Sequence, residues 1–306
     1  MNHSQVKNKR LMTGFATVFV AAFALSACTA ETAPTPATNG GDDAAPSTTE
    51  STELSTLERA IERGYITVAI ANEPPYTSVS AGGEVSGAEP DVARAVFQRM
   101  GIPEIQGIVT TYASMIPGLQ AGRWDVVTAG LFMRKERCEQ VAYAEPVVVS
   151  TESFAVPQGN PQSILSIADV QANENLRIAV LPGGFEEGLL LQNGIAESRL
   201  VPVQEGRSGM EAVEAGRADA FMLPTLSLED IVGDHPTLEV TPFVEDAPIT
   251  GGGPAFRLED SDLRDAYVAE FNEFRQTQEY RDILTGWGFD PAAAEAVTME
   301  QLCAQD

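Results

Sequence analysis

Two stretches of this chain read as the same alternation of strands and helices, and that repetition limits what it can fold into. In the first, residues 66–70 are strand-like and a helix starts at Pro90 and Asp91 with Val92, Val96, Phe97 and Met100 turned inward. Residues 108–109 then read as a strand, 114–120 as a helix and 126–129 as a strand. The pattern restarts with a strand at 177–180, a helix at 188–192, a strand at 200–203, a helix at 210–214 and a strand at 218–223. A β-α-β-α-β order predicts a mostly parallel sheet flanked by helices. Two such runs predict two similar lobes, each linking a helix to an apolar strand through a like phrase, Ala121-Gly-Arg-Trp-Asp125 and Ala215-Gly-Arg-Ala-Asp219.

The flanks complete the plan. Ser55 and Glu58 have the spacing of a capping box, opening a short helix that Gly64 closes. Past Gly251-Gly-Gly253 come a strand at 255–257 and helices at 260–275 and 279–286, the first with Leu263, Tyr267, Phe271 and Phe274 at core spacing. If this tail returns to the first lobe, that lobe comprises 55–150 and 248–306, and the second comprises 151–247. The chain then crosses twice, near 149–153 and 245–250. A double crossing is a hinge, and a cleft between hinged lobes traps ligands.

Chemistry concentrates in Gly130-Leu-Phe-Met-Arg-Lys-Glu-Arg-Cys138, where a buried strand gives way to a helix. Such ends hold ligands in α/β proteins. Arg137 suits a carboxylate, because its planar fork makes two parallel hydrogen bonds. Phe132 suits a flat, apolar or cationic group. The pair points to a small zwitterion.

Residues 1–27 read as a leader: Lys7, Lys9 and Arg10 precede an uncharged apolar run at 11–24. Leu25-Ser26-Ala27-Cys28 matches a bacterial lipobox, with Cys28 the lipidated residue. Residues 28–54, rich in Ala, Thr, Pro, Gly, Ser and Asp, predict a disordered tether. Without the leader's three cations, 19 − 3 = 16 basic residues face 44 acidic ones, a net charge of −28. That surface repels nucleic acid, and with Lys135 its one lysine it fits either a salty external medium or a high-GC genome that depletes lysine. After Cys28, two cysteines are left, Cys138 and Cys303; outside the cytoplasm they read as a disulfide, or else as two free thiols. The one histidine beyond the leader, His235, precedes Pro236 in a loop, and no Cys/His cluster suggests a metal or cofactor.

The chain over 57–289 resembles the type II solute-binding proteins of ABC importers, in the polar amino-acid group. The resemblance rests on Ala71-Asn-Glu-Pro-Pro-Tyr76, Gly87-x-x-Pro-Asp91, Ala121-Gly-Arg-x-Asp125, Arg137, Glu139-Gln-Val-Ala-Tyr-Ala-Glu-Pro146 and the 280–288 tail. It implies a two-lobed periplasmic-binding-protein type II fold, a binding role and no catalysis. The partners implied are a small zwitterionic solute and permease subunits with an ATPase. The protein is expected as a monomer, lipid-anchored to the outer face of the bacterial cell membrane.

Within that group the chain is most similar to ectoine- and hydroxyectoine-binding proteins. General amino-acid binders carry a small hydroxyl residue five before the arginine and an acidic residue near the end of a second-lobe strand. Phe132 and Pro224 stand at those places here. The resemblance implies an aromatic box of Tyr76, Tyr112 and Phe132, with Glu73 accepting amidinium N–H groups and Arg137 holding the carboxylate. Phe185, where relatives often have threonine, and Thr225 are the expected second-lobe contacts. Arg134 and Glu89 read as solvated, and Trp124 and Trp287 as packing residues. The alternatives are another polar or basic amino acid such as glutamine, a sensory lipoprotein, and a dehydratase on the same fold.

Overall fold

The computed structural model describes residues 54–305. The expected leader, Cys28 and all of the tether but Leu54 lie outside them.

Two five-stranded sheets organise the chain. The first runs in the order Glu104–Val109, Tyr65–Ile70, Val126–Val127, Ala255–Phe256, Ala142–Tyr143. The second runs Leu200–Pro202, Ile178–Val180, Ala220–Pro224, Glu152–Pro157, Leu238–Val240. In each, the first three strands pair in parallel and the fourth is antiparallel to both neighbours. The expectation of two similar, mostly parallel lobes therefore holds in strand direction. The reversed strand of lobe 2, Glu152–Pro157, falls where sequence reasoning placed only a crossing.

Local signals act as the residues dictate. Ser55 caps Thr56–Arg63 in a full capping box with Glu58, and Gly64 ends that helix at φ 77°. Apolar residues fill both faces of each sheet: Phe97, Phe256, Tyr267, Phe271 and Tyr280 pack on one face of the first, and Met115, Leu119, Trp124 and Leu302 on the other. Trp124 is core as expected, its Nε1 donating to the Met115 carbonyl at 3.1 Å. Trp287 is partly buried and donates to Asp91 Oδ2 at 2.9 Å.

The sheets are joined by a two-stranded antiparallel ribbon, Val148–Ser150 against Thr250–Gly252. The tail returns to lobe 1, where Cys303 is disulfide-bonded to Cys138 across 165 residues. No helix among the described residues is long and apolar enough to cross a membrane.

Candidate functional site

The strand ends of both lobes converge on one small cavity lined by Glu73, Tyr112, Gly130, Phe132, Arg137, Phe185, Glu186 and Pro224. Each lining side chain follows from a break in regular structure. Glu73 sits just beyond Tyr65–Ile70, in a loop pinned by paired backbone hydrogen bonds with Thr77. Tyr112 starts the helix Tyr112–Gln120. Phe132 follows Val126–Val127, and Arg137 belongs to the single turn Lys135–Cys138. From lobe 2, Phe185 and Glu186 open the helix Phe185–Gln192, and Pro224 ends Ala220–Pro224. The cavity volume is about 10 Å³, room for roughly one water, so the lobes are closed on each other. A wider cleft of about 630 Å³ adjoins it at Glu73 and Tyr112.

Arg137, 4% exposed, spans the two lobes. Its Nη1 donates to the Phe132 carbonyl at 2.7 Å and its Nη2 to the Gly183 carbonyl of lobe 2 at 2.8 Å. Gly183 is required there: its φ is +74°, and a Cβ would lie 2.5 Å from the Ala113 nitrogen. Ser227, also of lobe 2, donates to Glu73 Oε1 at 2.9 Å. The Tyr112 hydroxyl lies 3.1 Å from Glu73 Oε2 and 2.9 Å from the Ala129 carbonyl. Its single proton serves one acceptor fully, so a charged Glu73 draws it and a neutral Glu73 releases it to Ala129.

The site is rich in buried acid. Burial, then the charge of Glu186, raises the Glu73 pKa from 4.5 to about 7, against the hydrogen bonds from Ser227 and Tyr112. Glu186 is likewise raised by burial, opposed by its own backbone N–H, Glu152, Arg137 and Arg134. Desolvation lowers the Arg137 pKa, but a guanidinium stays charged.

Of the seven residues expected from sequence, Glu73, Tyr112, Phe132, Arg137 and Phe185 line the cavity, with the Phe132 and Phe185 rings 5.9 Å apart across the lobes. Tyr76 and Thr225 do not. Tyr76 stands one layer back: its ring meets Phe132 edge-on at 5.6 Å and Phe289 at 4.9 Å, and its hydroxyl bonds Ser150 in the ribbon. The Thr225 hydroxyl is taken up by Ser153 at 2.8 Å and Thr151 at 2.9 Å, leaving its neighbour Pro224 on the cavity.

Three acids were missed. Glu186 lines the cavity, and Glu152 lies buried behind it. Glu89, expected in solvent, is 0% exposed. Burial raises its pKa to about 7, and neither of its carboxyl oxygens meets a hydrogen-bond donor. Arg134 is half-buried, reaching the opposite lobe where Gly188 leaves it room.

Several known proteins are similar to this chain. Over 82% of this chain and 98% of the other, the fold superimposes on EhuB, solved in complex with hydroxyectoine, with a TM-score of 0.80 and 43% identity. The chain is 38% identical over 261 residues to the "Probable amino-acid ABC transporter periplasmic-binding protein y4tE" of Sinorhizobium fredii, covering 81% of this chain and 86% of that one. It is 25% identical to "ABC transporter arginine-binding protein 1" of Escherichia coli, over 71% of this chain and 87% of that one. A match to membrane-bound lytic murein transglycosylase F of Maricaulis maris covers 41% of that protein. Residues 66–290 match the pattern of the bacterial extracellular solute-binding proteins, family 3, and the chain belongs to that family.

Proposed function

We propose that this chain is the extracytoplasmic, lipid-anchored solute-binding component of an ABC importer, and that it captures ectoine or hydroxyectoine. The observation that carries the reading is one cavity in which a buried arginine and a buried glutamate share aromatic walls. Ectoine is a cyclic amidinium bearing a carboxylate. Arg137 would hold the carboxylate, Glu73 and Glu186 would accept amidinium N–H groups, and Tyr112, Phe132 and Phe185 would cover the ring. A cation against an aromatic face in a dry site contributes ~2 kcal/mol. Tyr76 supports Phe132 from behind.

Because the cavity is closed in this structure, solute entry requires lobes 55–150 with 248–306 and 151–247 to part about the ribbon. The likeness to EhuB supports this ligand class, and capture by a lipoprotein serves uptake of a compatible solute, hence osmoprotection. The role is binding, with a monomer meeting permease subunits and their ATPase. One observation favours a second reading: Glu73 and Glu186 together could accept the many N–H groups of arginine, the solute of one relative.

Titration calorimetry with ectoine, hydroxyectoine, glycine betaine, proline, glutamine and arginine separates the two. Ectoine or hydroxyectoine is expected to bind at micromolar Kd or tighter. Binding of arginine or glutamine with neither ectoine would overturn the proposal.

A further inference from the structure

Glu152 opens the reversed strand of lobe 2, two residues past the ribbon strand Val148–Ser150, and is 1% exposed. Its Oε1 accepts from Thr250 Oγ1, on the opposite ribbon strand, at 3.3 Å. Its Oε2 is buried and meets no N–H or hydroxyl donor. The Glu186 carboxyl, 3% exposed, is near enough to act on it electrostatically. Two ionised carboxylates buried together repel and are acceptors only, so a proton on one of them relieves the pair and gives the orphaned Oε2 a role.

The surroundings say which. Glu186 receives its own backbone N–H and faces the cations Arg137 and Arg134. Glu152 faces the acids Glu186 and Glu73, with the Thr250 hydroxyl its one neutral donor and the Tyr76 phenol nearby. The cations favour charge on Glu186, and the acids disfavour it on Glu152.

We propose that Glu152 is a positioning residue for the solute's cationic group: it remains a neutral acid, donates its proton to Glu186, and so presents Glu186 to the cavity as one oriented carboxylate. The pair then meets a cation with a single negative charge. Burial and the adjacent acids raise the Glu152 pKa well above the carboxylate range, which agrees with that assignment. The ligand half of the proposal rests on the ectoine reading; the shared proton does not.

Two variants test it. In E152Q the amide N–H replaces the acid proton as donor; in E152A nothing does. With ectoine at pH 7, E152Q is expected within about threefold of the wild-type Kd and E152A at least about tenfold weaker. Without ligand, a native Glu152 that keeps its proton opposes an unfolded one that loses it near pH 4.5. Wild-type stability therefore falls as pH rises from 5 towards the native pKa. Over the pH range below that native pKa, its unfolding constant should rise by up to about tenfold more per pH unit than that of E152Q.

Parallel pH profiles for wild type and E152Q would overturn the shared proton. Unchanged ectoine affinity in E152A would overturn the positioning role. A wild type that ignores ectoine but shows the steeper profile sinks the ectoine reading and keeps the proton assignment. Should E152A not fold, the wild-type and E152Q profiles still decide.

Discussion

Ser227 of lobe 2 donates its hydroxyl to Glu73 of lobe 1 at 2.9 Å, so the carboxyl that faces the cavity is held from both sides of the cleft. That bond favours the charged form of a group whose burial favours the neutral one.

A pH dependence follows. With its pKa raised to about 7, Glu73 carries a proton at lower pH, and a cationic solute must expel it. Ectoine Kd, followed by calorimetry from pH 5.5 to 8.5, is expected to be flat above about 8 and to weaken towards tenfold per unit below 7. Ser227→Ala removes a bond that lowers the pKa, so the midpoint should move up. A profile indifferent to pH would remove Glu73 from the cation site.

Arg137→Lys keeps the charge and loses the fork that bonds Phe132 and Gly183. Hydrogen bonds to charged groups contribute ~1.5–3 kcal/mol, so ectoine binding should weaken by roughly 10–100-fold. Wild-type affinity in this variant would mean that the carboxylate is anchored elsewhere.

Phe132→Leu separates bulk from π character. Leucine still fills much of the space against Tyr76 and Phe185, while a cation–π contact of ~2 kcal/mol is lost. The expected signature is a Kd raised about 30-fold with a small change in Tm. Loss of Tm with intact affinity would make Phe132 a packing residue.

The Cys138–Cys303 disulfide closes a span of 165 residues. The chain-entropy model assigns such a closure up to ~5 kcal/mol, so reduction should lower Tm by up to about 10–20 °C in scanning calorimetry. An unchanged Tm would show that Leu302 in the core and the Met299 N–H bond to Glu145 already fasten the tail.

Much of this was legible in the sequence, where local signals and tertiary structure agree. Ser55, Glu58 and Gly64 mark a helix by backbone chemistry alone, and the Phe132–Arg137 spacing marks a strand-to-helix turn at a cavity. Depth was less legible. Glu89 and Glu186 lie in the first turns of helices, where acids commonly offset the helix dipole in solvent. Only the packing of other segments over them, Gly130 and Gly252 on Glu89 for instance, makes them buried. Of the adjacent pair Glu186 and Glu187, the second bonds the Gly183 N–H and the first enters the cavity, a choice set by helix rotation. Tyr76, expected at the cavity, stands one layer back against Phe132 for the same reason.

The ribbon that joins the sheets has a topological consequence. Every strand of the second sheet lies between Val148–Ser150 and Thr250–Gly252, which sit side by side with Thr250 opposite Ser150. Lobe 2 is thus a single inserted loop of chain whose two ends are neighbours. It could be exchanged as a cassette between relatives, carrying Phe185, Glu186 and Glu152 with it and leaving Glu73, Phe132 and Arg137 in the recipient. Half of the cavity's chemistry can therefore be inherited as one piece, and Ser227 and Gly183, which bond Glu73 and Arg137, travel in it.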